Sequence, residues 1–295
     1  MKFDFCLAWN WEYDADFVAI LREALHSRGL SMLEITPETL ANTLEALKRE
    51  EVDFSFFLDR ASEADEAFLP LVQWAEMRGA RCINPHERSL HAMNKASMHL
   101  EFITAGIHTP YTIILPPYHE APSLPPFLDL SPLGDKFTIK PAHGGGGEGV
   151  ITEATSLESI QACRQEFPAD FYLLQAQVVP AIRGERPAWF RVLFCRGRVY
   201  PCWWDTRTHI YTPVTRREER SFRLSPLRET TQRIAQVCGL GMFSTEIALT
   251  EEDLFVAVDY VNDQIDLRLK SKADDGVPDE IVRDIAHRLA ELASS

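Results

Sequence analysis

The chain has 295 residues, 45% hydrophobic and 25% charged, with 30 basic against 44 acidic side chains and a formal net charge of −14. The apolar share suffices for packed cores, which excludes wholesale disorder, and the length suits two or three modules. The acidic balance argues against nucleic acid or a membrane surface as partner, and no apolar run approaches the roughly 18 residues of a transmembrane helix.

The amino terminus, Met1-Lys2-Phe3-Asp4-Phe5-Cys6, lacks the long apolar stretch of a secretory signal. Cys6, Cys82, Cys163, Cys195, Cys202 and Cys238 lie far apart without a CxxC pair and read as core thiols of a reducing compartment. A soluble, cytoplasmic protein is expected.

In chain order, residues 2–8 form a β-type run, followed by Asp14 as a helix cap and Phe17, Leu21 and Leu25 on one helical face. Residues 31–35 predict a second strand. Thr36-Pro37-Glu38 then supplies a cap, a first-turn proline and an acid at the positive end of a helix carrying Leu40, Leu44 and Leu47 inward. Residues 52–58 are a third strand, Ser62-x-x-Asp65 opens a helix with Phe68, Val72 and Trp74, and 81–83 is a fourth strand. Four βα units imply a parallel sheet covered by helices. Asn84-Pro85 caps a further helix, and the stretch from Lys95 to Gly106 continues helical. Seven of the 18 prolines fall between Pro110 and Pro132, which predicts a strand and a long extended loop. Further strands are expected at 136–140, 150–152, 172–178, 190–194, 198–204, 246–249 and 254–261. A closing helix from Pro278 sets Ile281, Ile285, Leu289 and Leu292 on one stripe.

Five of the 14 glycines lie within residues 144–149, directly after the strand ending in Lys140. A P-loop would need Gly-Lys-Ser/Thr and a following helix, and neither is present. Gly144-x-Gly146-x-x-Gly149 matches the dinucleotide fingerprint formally, but β-branched residues follow it. A hairpin tip closing over nucleotide phosphates, with Lys140 pointing at them, fits better; a plain surface hairpin is the bland alternative.

Further elements stand in order. They are Asn94-Lys95; Ala105-Gly106-Ile107-His108-Thr109-Pro110; Phe137-Thr138-Ile139-Lys140-Pro141 with the glycines; residues 173–178; Phe190-Arg191-Val192-Leu193 with Gly197; Phe243-Ser244-Thr245-Glu246-Ile247; and Val258-Asp259-Tyr260-Val261-Asn262. Together they resemble the ATP-grasp superfamily over residues 84–270, and are similar to its carboxylate-amine ligases of the ribosomal-protein S6 glutamate ligase and glutathione synthetase-like branch. The resemblance implies an α/β chain: a Rossmann-like pre-ATP-grasp domain (1–85), a central ATP-grasp subdomain with a glycine-rich lid (86–174) and a C-terminal subdomain with the metal site (175–295), the last two forming an α+β core.

It also implies ATP- and Mg2+-dependent ligation (Mn2+ as alternative) of a small-molecule or peptide carboxylate to an amine through an acyl phosphate, in a chain that often forms homodimers. The alternatives are a nucleotide-binding module without turnover and a small-molecule kinase. Lys95 and Lys140 would clamp ATP, and His143, Gly144, Gly145, Gly146 and Gly147 would form the lid. Gln175, Ala176, Gln177 and Val178 would offer backbone groups to adenine, Glu185 would meet the ribose, and Arg191 the phosphates. Glu246, Asp259 and Asn262 would hold metal, although the superfamily's usual Glu-x-Asn is replaced by Asp259-x-x-Asn262. On a regular strand those two side chains point to opposite faces, so either a bulge turns one of them or residues at the strand end, such as Asp263, supply ligands. Trp9, Asn10, Trp11, Asp59 and Arg60, at the carboxyl ends of two parallel strands, and Arg207 and Arg268 are the substrate-side candidates.

Overall fold

The alternation of apolar runs and amphipathic stretches in the N-terminal third produces four βα units in the computed structural model, which describes residues 1–294. They are β1 (Lys2–Trp9), α1 (Ala15–His26), β2 (Met32–Ile35), α2 (Pro37–Lys48), β3 (Asp53–Arg60), α3 (Leu69–Met77) and β4 (Arg81–Ile83). The sheet is parallel, in the order β2-β1-β3-β4. A capping box between Thr36 and Thr39 starts α2, with Pro37 in its first turn. Two expected caps do other work. Asp14 makes no cap bond to α1, because its carboxylate is taken by Arg60. Residues 62–65 form a turn, and Asp65 caps a single 3-10 turn at Glu66–Phe68 before α3 begins at Leu69.

Two helices follow, α4 (His86–Met93) and α5 (Lys95–Thr104). The Asn94 side chain accepts from the Ser97 N–H and so sets Lys95 at the start of α5. Asn84 does not cap α4; its side-chain oxygen accepts from the N–H groups of Gly241 and Met242, fastening this corner to a distant strand. Next come β5 (Thr112–Leu115), β6 (Phe137–Pro141), β7 (Ile151–Ala154), α6 (Leu157–Glu166) and β8 (Tyr172–Ala176), whose strands form an antiparallel sheet ordered β5-β8-β6-β7. The proline-rich stretch forms the expected strand, β5, but beyond it is folded into turns with a 3-10 turn at Ser131–Leu133 instead of running extended. It is tied down by Arg164, a buried α6 residue donating to the carbonyls of Pro116 and Ala121 at 2.9 and 2.7 Å.

The rest comprises β9 (Ile182–Arg183), β10 (Arg186–Pro187), β11 (Trp189–Cys195), β12 (Arg198–Trp204), β13 (Tyr211–Pro213), α7 (Arg216–Ser221), α8 (Pro226–Cys238), β14 (Met242–Leu249), β15 (Phe255–Asn262) and α9 (Asp279–Ala293). β9 and β10 make a hairpin; β13-β12-β11-β14-β15 is an antiparallel sheet. Helices α6, α7 and α8 escaped the sequence reading. α7 is polar all round and gives no apolar stripe, whereas α8 repeats Leu227, Thr231, Ile234 and Cys238 at helical spacing and was legible in the sequence.

One face of the five-stranded sheet packs on α5 and α8 through Phe190, Val192, Phe243, Met98 and Ile234. Its other face joins the first sheet: Leu193, Cys195 and Cys202 share a core with Phe5, Leu7, Phe17, Leu21 and the α9 stripe of Ile281, Ile285 and Leu289. All six cysteines are buried free thiols. Among the described residues no helix is long and apolar enough to cross a membrane.

Candidate active site

Charged side chains from five elements meet where the two antiparallel sheets face each other. Lys140 leaves β6 on the side away from that sheet's own core and is only 7% exposed. Its Nζ donates to the Val258 carbonyl at 3.1 Å and lies 5.1 Å from the centroid of the Tyr260 ring. Burial pushes its pKa down to about 8, with Lys95 adding to the fall and Asp259 and Glu246 opposing it. Lys95, part-buried, donates to the Gly144 carbonyl at the root of the glycine loop. Its pKa is lowered too, by burial that Asp259 and Asp170 only partly offset.

Arg191 of β11 stands opposite Glu246 of β14, their Nη1 and Oε1 atoms 2.6 Å apart, and its Nε and Nη2 also donate to Ser244 Oγ at 3.2 and 3.1 Å. Trp189 donates its indole N–H to the other Glu246 oxygen at 2.9 Å. With the Asn262 amide turned to satisfy its neighbours, its oxygen accepts from Arg191 Nη2 at 2.7 Å.

The spacing of Asp259 and Asn262 is resolved by irregular pairing. Glu246 pairs with Asp259 and Ser244 with Asn262, so two steps on β14 oppose three on β15. The extra residue is a β-bulge, which returns Asp259 and Asn262 to the face that carries Ser244 and Glu246. Burial alone would raise the Asp259 pKa, but Lys140, Arg191 and Lys95 hold it below the usual carboxylate range.

Glu246, Asp259 and Asn262 thus offer hard oxygens of the kind magnesium takes. Among the described residues no three His, Cys, Asp or Glu side chains form a metal cluster, so the remaining ligands would come from phosphate oxygens and water.

No protein-family model matches the sequence, and no curated protein is similar to it at a significant level. Solved structures are similar over nearly the whole chain. The RimK domain protein ATP-grasp from Sphaerobacter thermophilus aligns at TM-score 0.65 and 20% identity, covering 97% of this chain and 98% of that one. The macrocyclase MdnC from Microcystis aeruginosa, bound with precursor peptide MdnA, aligns at 0.66 with 9% identity, covering 98% and 99%. D-alanine–D-alanine ligase from Bacillus anthracis, complexed with ATP, aligns at 0.63 with 12% identity, covering 100% and 96%. The chain has the ATP-grasp fold.

Within the ATP-grasp fold the other expected site residues separate into two groups. His143 and the four glycines that follow lie in an exposed loop, with Gly144, Gly146 and Gly147 at positive φ. The loop is latched at its start: the backbone N–H and Nδ1 of His143 both meet the Asp170 carboxylate, at 2.8 and 2.9 Å. Ala176, Gln177 and Val178 line a cleft of about 410 Å³ with Tyr111, Thr250 and Glu251. Gln175 departs from expectation, because β8 is paired on both sides and its backbone belongs to the ladder. Its side chain acts instead, donating to Tyr260 Oη at 2.7 Å and Thr112 Oγ1 at 3.0 Å.

The second group lies outside the cluster. Glu185 sits in the exposed β9–β10 turn with φ of 70°. Arg60, expected to meet a substrate carboxylate, is buried: two 2.7 Å bonds to Asp14 and a 3.0 Å bond to the Ile265 carbonyl engage it as a structural tie. Arg268 is held by Asp266 and Asp275 at 2.7 and 2.9 Å, with its guanidinium over the Trp11 ring. Trp9 packs against the first core and Asn10 donates to the Ala61 carbonyl, whereas Trp11 is 38% exposed. Arg207 is exposed in the turn after β12. The sequence reading missed Tyr260, Trp189 and Ser244, which touch the cluster's members, and His99, which touches Tyr260. For His99 a signal existed, since it lies four residues after Lys95 on one helical face.

Proposed function

We propose that the protein is an ATP-dependent ligase that activates a carboxylate as an acyl phosphate and passes it to an amine or similar nucleophile. What carries the reading is the convergence of Lys95 from α5 with Lys140, Arg191, Glu246, Asp259 and Asn262 from the two facing sheets, completed by the β15 bulge. Three cations suit a triphosphate, whose charge they balance in a partly desolvated cleft. Lys140 and Lys95 would hold the phosphates, and the loop from His143 to Gly147 would close over them with backbone N–H donors. Glu246, Asp259 and Asn262 would hold magnesium, which would supply neutralisation of the phosphate charge. In the chemistry proposed, a substrate carboxylate oxygen bonds to the γ-phosphorus as ADP leaves. The amine then attacks the acyl carbon, phosphate departs and the amine loses a proton. Closure of the glycine loop would keep water from the acyl phosphate.

One feature supports turnover over a non-catalytic module: the bulge brings Asp259 and Asn262 onto one face despite the change from Glu-x-Asn. A kinase reading lacks any feature that selects a hydroxyl acceptor. In this reading the pre-ATP-grasp domain would end at residue 85 and the central subdomain at residue 174. Because MdnC is bound with a precursor peptide, peptides belong beside amino acids in a substrate screen.

Calorimetric titration of ATP with and without magnesium tests the reading first. Binding should strengthen with magnesium and weaken at least tenfold in Lys140→Ala. Wild-type affinity should fall about tenfold per pH unit above about 8, where Lys140 gives up its proton. The same deprotonation removes a buried charge, so stability should rise between pH 8 and 10.5 while affinity falls. Absence of nucleotide binding under every condition would sink the proposal; binding without phosphate release on any carboxylate would leave only the non-catalytic module.

A further inference from the structure

Tyr260 is fully buried on β15, inside the bulge, between Asp259 and Asn262, two of the three candidate metal ligands. Two parts of it touch two different lysine-bearing elements. The face of its ring meets Lys140 Nζ at 5.1 Å, and the only hydrogen bond that ammonium makes among the described residues is to the Val258 carbonyl. Its hydroxyl sits between Gln175 Nε2 at 2.7 Å and His99 Nδ1 at 2.6 Å.

With the Gln175 amide donating to the Tyr260 oxygen, the tyrosine's own proton is assigned to His99 Nδ1 as acceptor. In that assignment His99 is the neutral tautomer with its proton on Nε2. Burial, with Lys140 nearby, pushes its pKa down to about 4, in agreement with this assignment. The second Gln175 proton goes to Thr112 Oγ1, which in turn donates to the Pro110 carbonyl, so the chain ends on the backbone.

His99 lies one helical turn after Lys95 on α5, so a bond that fixes the imidazole also fixes the rotation of the helix and the departure direction of Lys95. Stacking of His99 on Tyr260 and the edge of Phe102 against the same ring leave that side of the tyrosine no freedom to turn.

We propose that Tyr260 is a positioning residue for both phosphate-side lysines, its ring holding the Lys140 ammonium and its hydroxyl, through His99, setting the helix that carries Lys95. The inference rests on the ATP reading for its purpose and on geometry for its content. The two arms separate by substitution. Tyr260→Phe cuts the hydroxyl arm and keeps the ring; Tyr260→Met, close in bulk, removes both. Tyr260→pentafluorophenylalanine keeps the shape of Phe while reversing the charge on the ring face, and stands in for the Met variant should that fail to fold.

The experiment is an NMR titration of 13C-labelled lysine side chains in the full-length protein, with Lys140 assigned through Lys140→Arg and ADP affinity measured alongside by calorimetry. In Tyr260→Phe the Lys140 midpoint should stay at the wild-type value while ADP binding weakens about tenfold. In Tyr260→Met or the fluorinated variant the midpoint should fall by about one pH unit, the size expected of a lost cation–π contact. An unchanged midpoint in both ring variants overturns the ring's role, and unchanged ADP affinity in a folded Tyr260→Phe overturns the hydroxyl's. A wild type that binds no ADP, with a midpoint that still falls in the ring variants, overturns the ATP reading and upholds the hold on Lys140.

Discussion

His99 is a base that the fold keeps uncharged. Its pKa of about 4 lies below the 6.5 of a free imidazole, so between those values the unfolded chain binds a proton that the native state does not. Its contribution to stability is complete above about pH 6.5 and is lost as pH falls toward 4. Up to about 3 kcal/mol rides on this single group, since each tenfold change in proton affinity is worth about 1.4 kcal/mol. Urea unfolding of wild type and His99→Gln from pH 7.5 to 4.0 should show the wild type losing stability more steeply, the gap between the two closing toward the acid end. Parallel pH dependences would show that His99 titrates normally in the native state.

At the scale of the element, the bulge in β15 is what makes the candidate metal ligands a set. Deleting Val261 would leave Asp259 and Asn262 two residues apart in a regular ladder, where they again share a face without the extra turn of chain. The segment after β15 would be drawn back by one residue, moving Gln264, Ile265 and the carbonyl that Arg60 binds. Deleting Tyr260 and restoring a regular strand would also cost the hydroxyl network, so Asn262→Ala is the cleaner disruption. It removes the amide oxygen while leaving Asp259, Tyr260 and the bulge in place. Calorimetry should then find metal-free ATP binding retained and the strengthening by magnesium reduced about tenfold, or about 1.4 kcal/mol. Magnesium dependence equal to wild type would remove Asn262 from the ligand set.

On the scale of the whole molecule, Arg60 and Asp14 tie the first sheet to the segment that follows β15. Both are almost wholly buried, with side-chain exposures of 3% and 1%, and the Arg60 bond to the Ile265 carbonyl spans the chain from its first sheet to beyond its last strand. Removing one partner strands the other charge in the core, which typically costs about 3–5 kcal/mol, whereas replacing both by apolar groups costs far less. Arg60→Ala should therefore lower the urea midpoint strongly, and Arg60→Met with Asp14→Leu should recover most of the loss without changing ATP affinity. A double variant that folds but no longer binds nucleotide would return Arg60 to the site. The core shared by α1, α9 and the five-stranded sheet further predicts that these parts unfold together.

What could be read from the sequence was whatever depends on neighbours along the chain. Strand and helix alternation in the first sheet, the cap at Thr36, the stripe of α9 and the glycines after Lys140 are all local patterns, set by side-chain period and backbone freedom. The lysines were legible through the motifs that hold them, Asn94-Lys95 and the strand ending Lys140-Pro141 before the glycines. Partnership was not legible, because it is decided by elements far apart in sequence. Arg60 and Arg268 are both arginines at the edge of the site, yet one meets Asp14 and the other Asp266 and Asp275, which neutralises their charge within the protein. Asp259 and Asn262 stand on one face only because β14 pairs across a bulge, and Tyr260 reaches His99 only because β15 lies against α5. Sequence alone determined the fold's local elements and which residues carry charge; tertiary packing decided which of those charges face one another, because burial and pairing act through space.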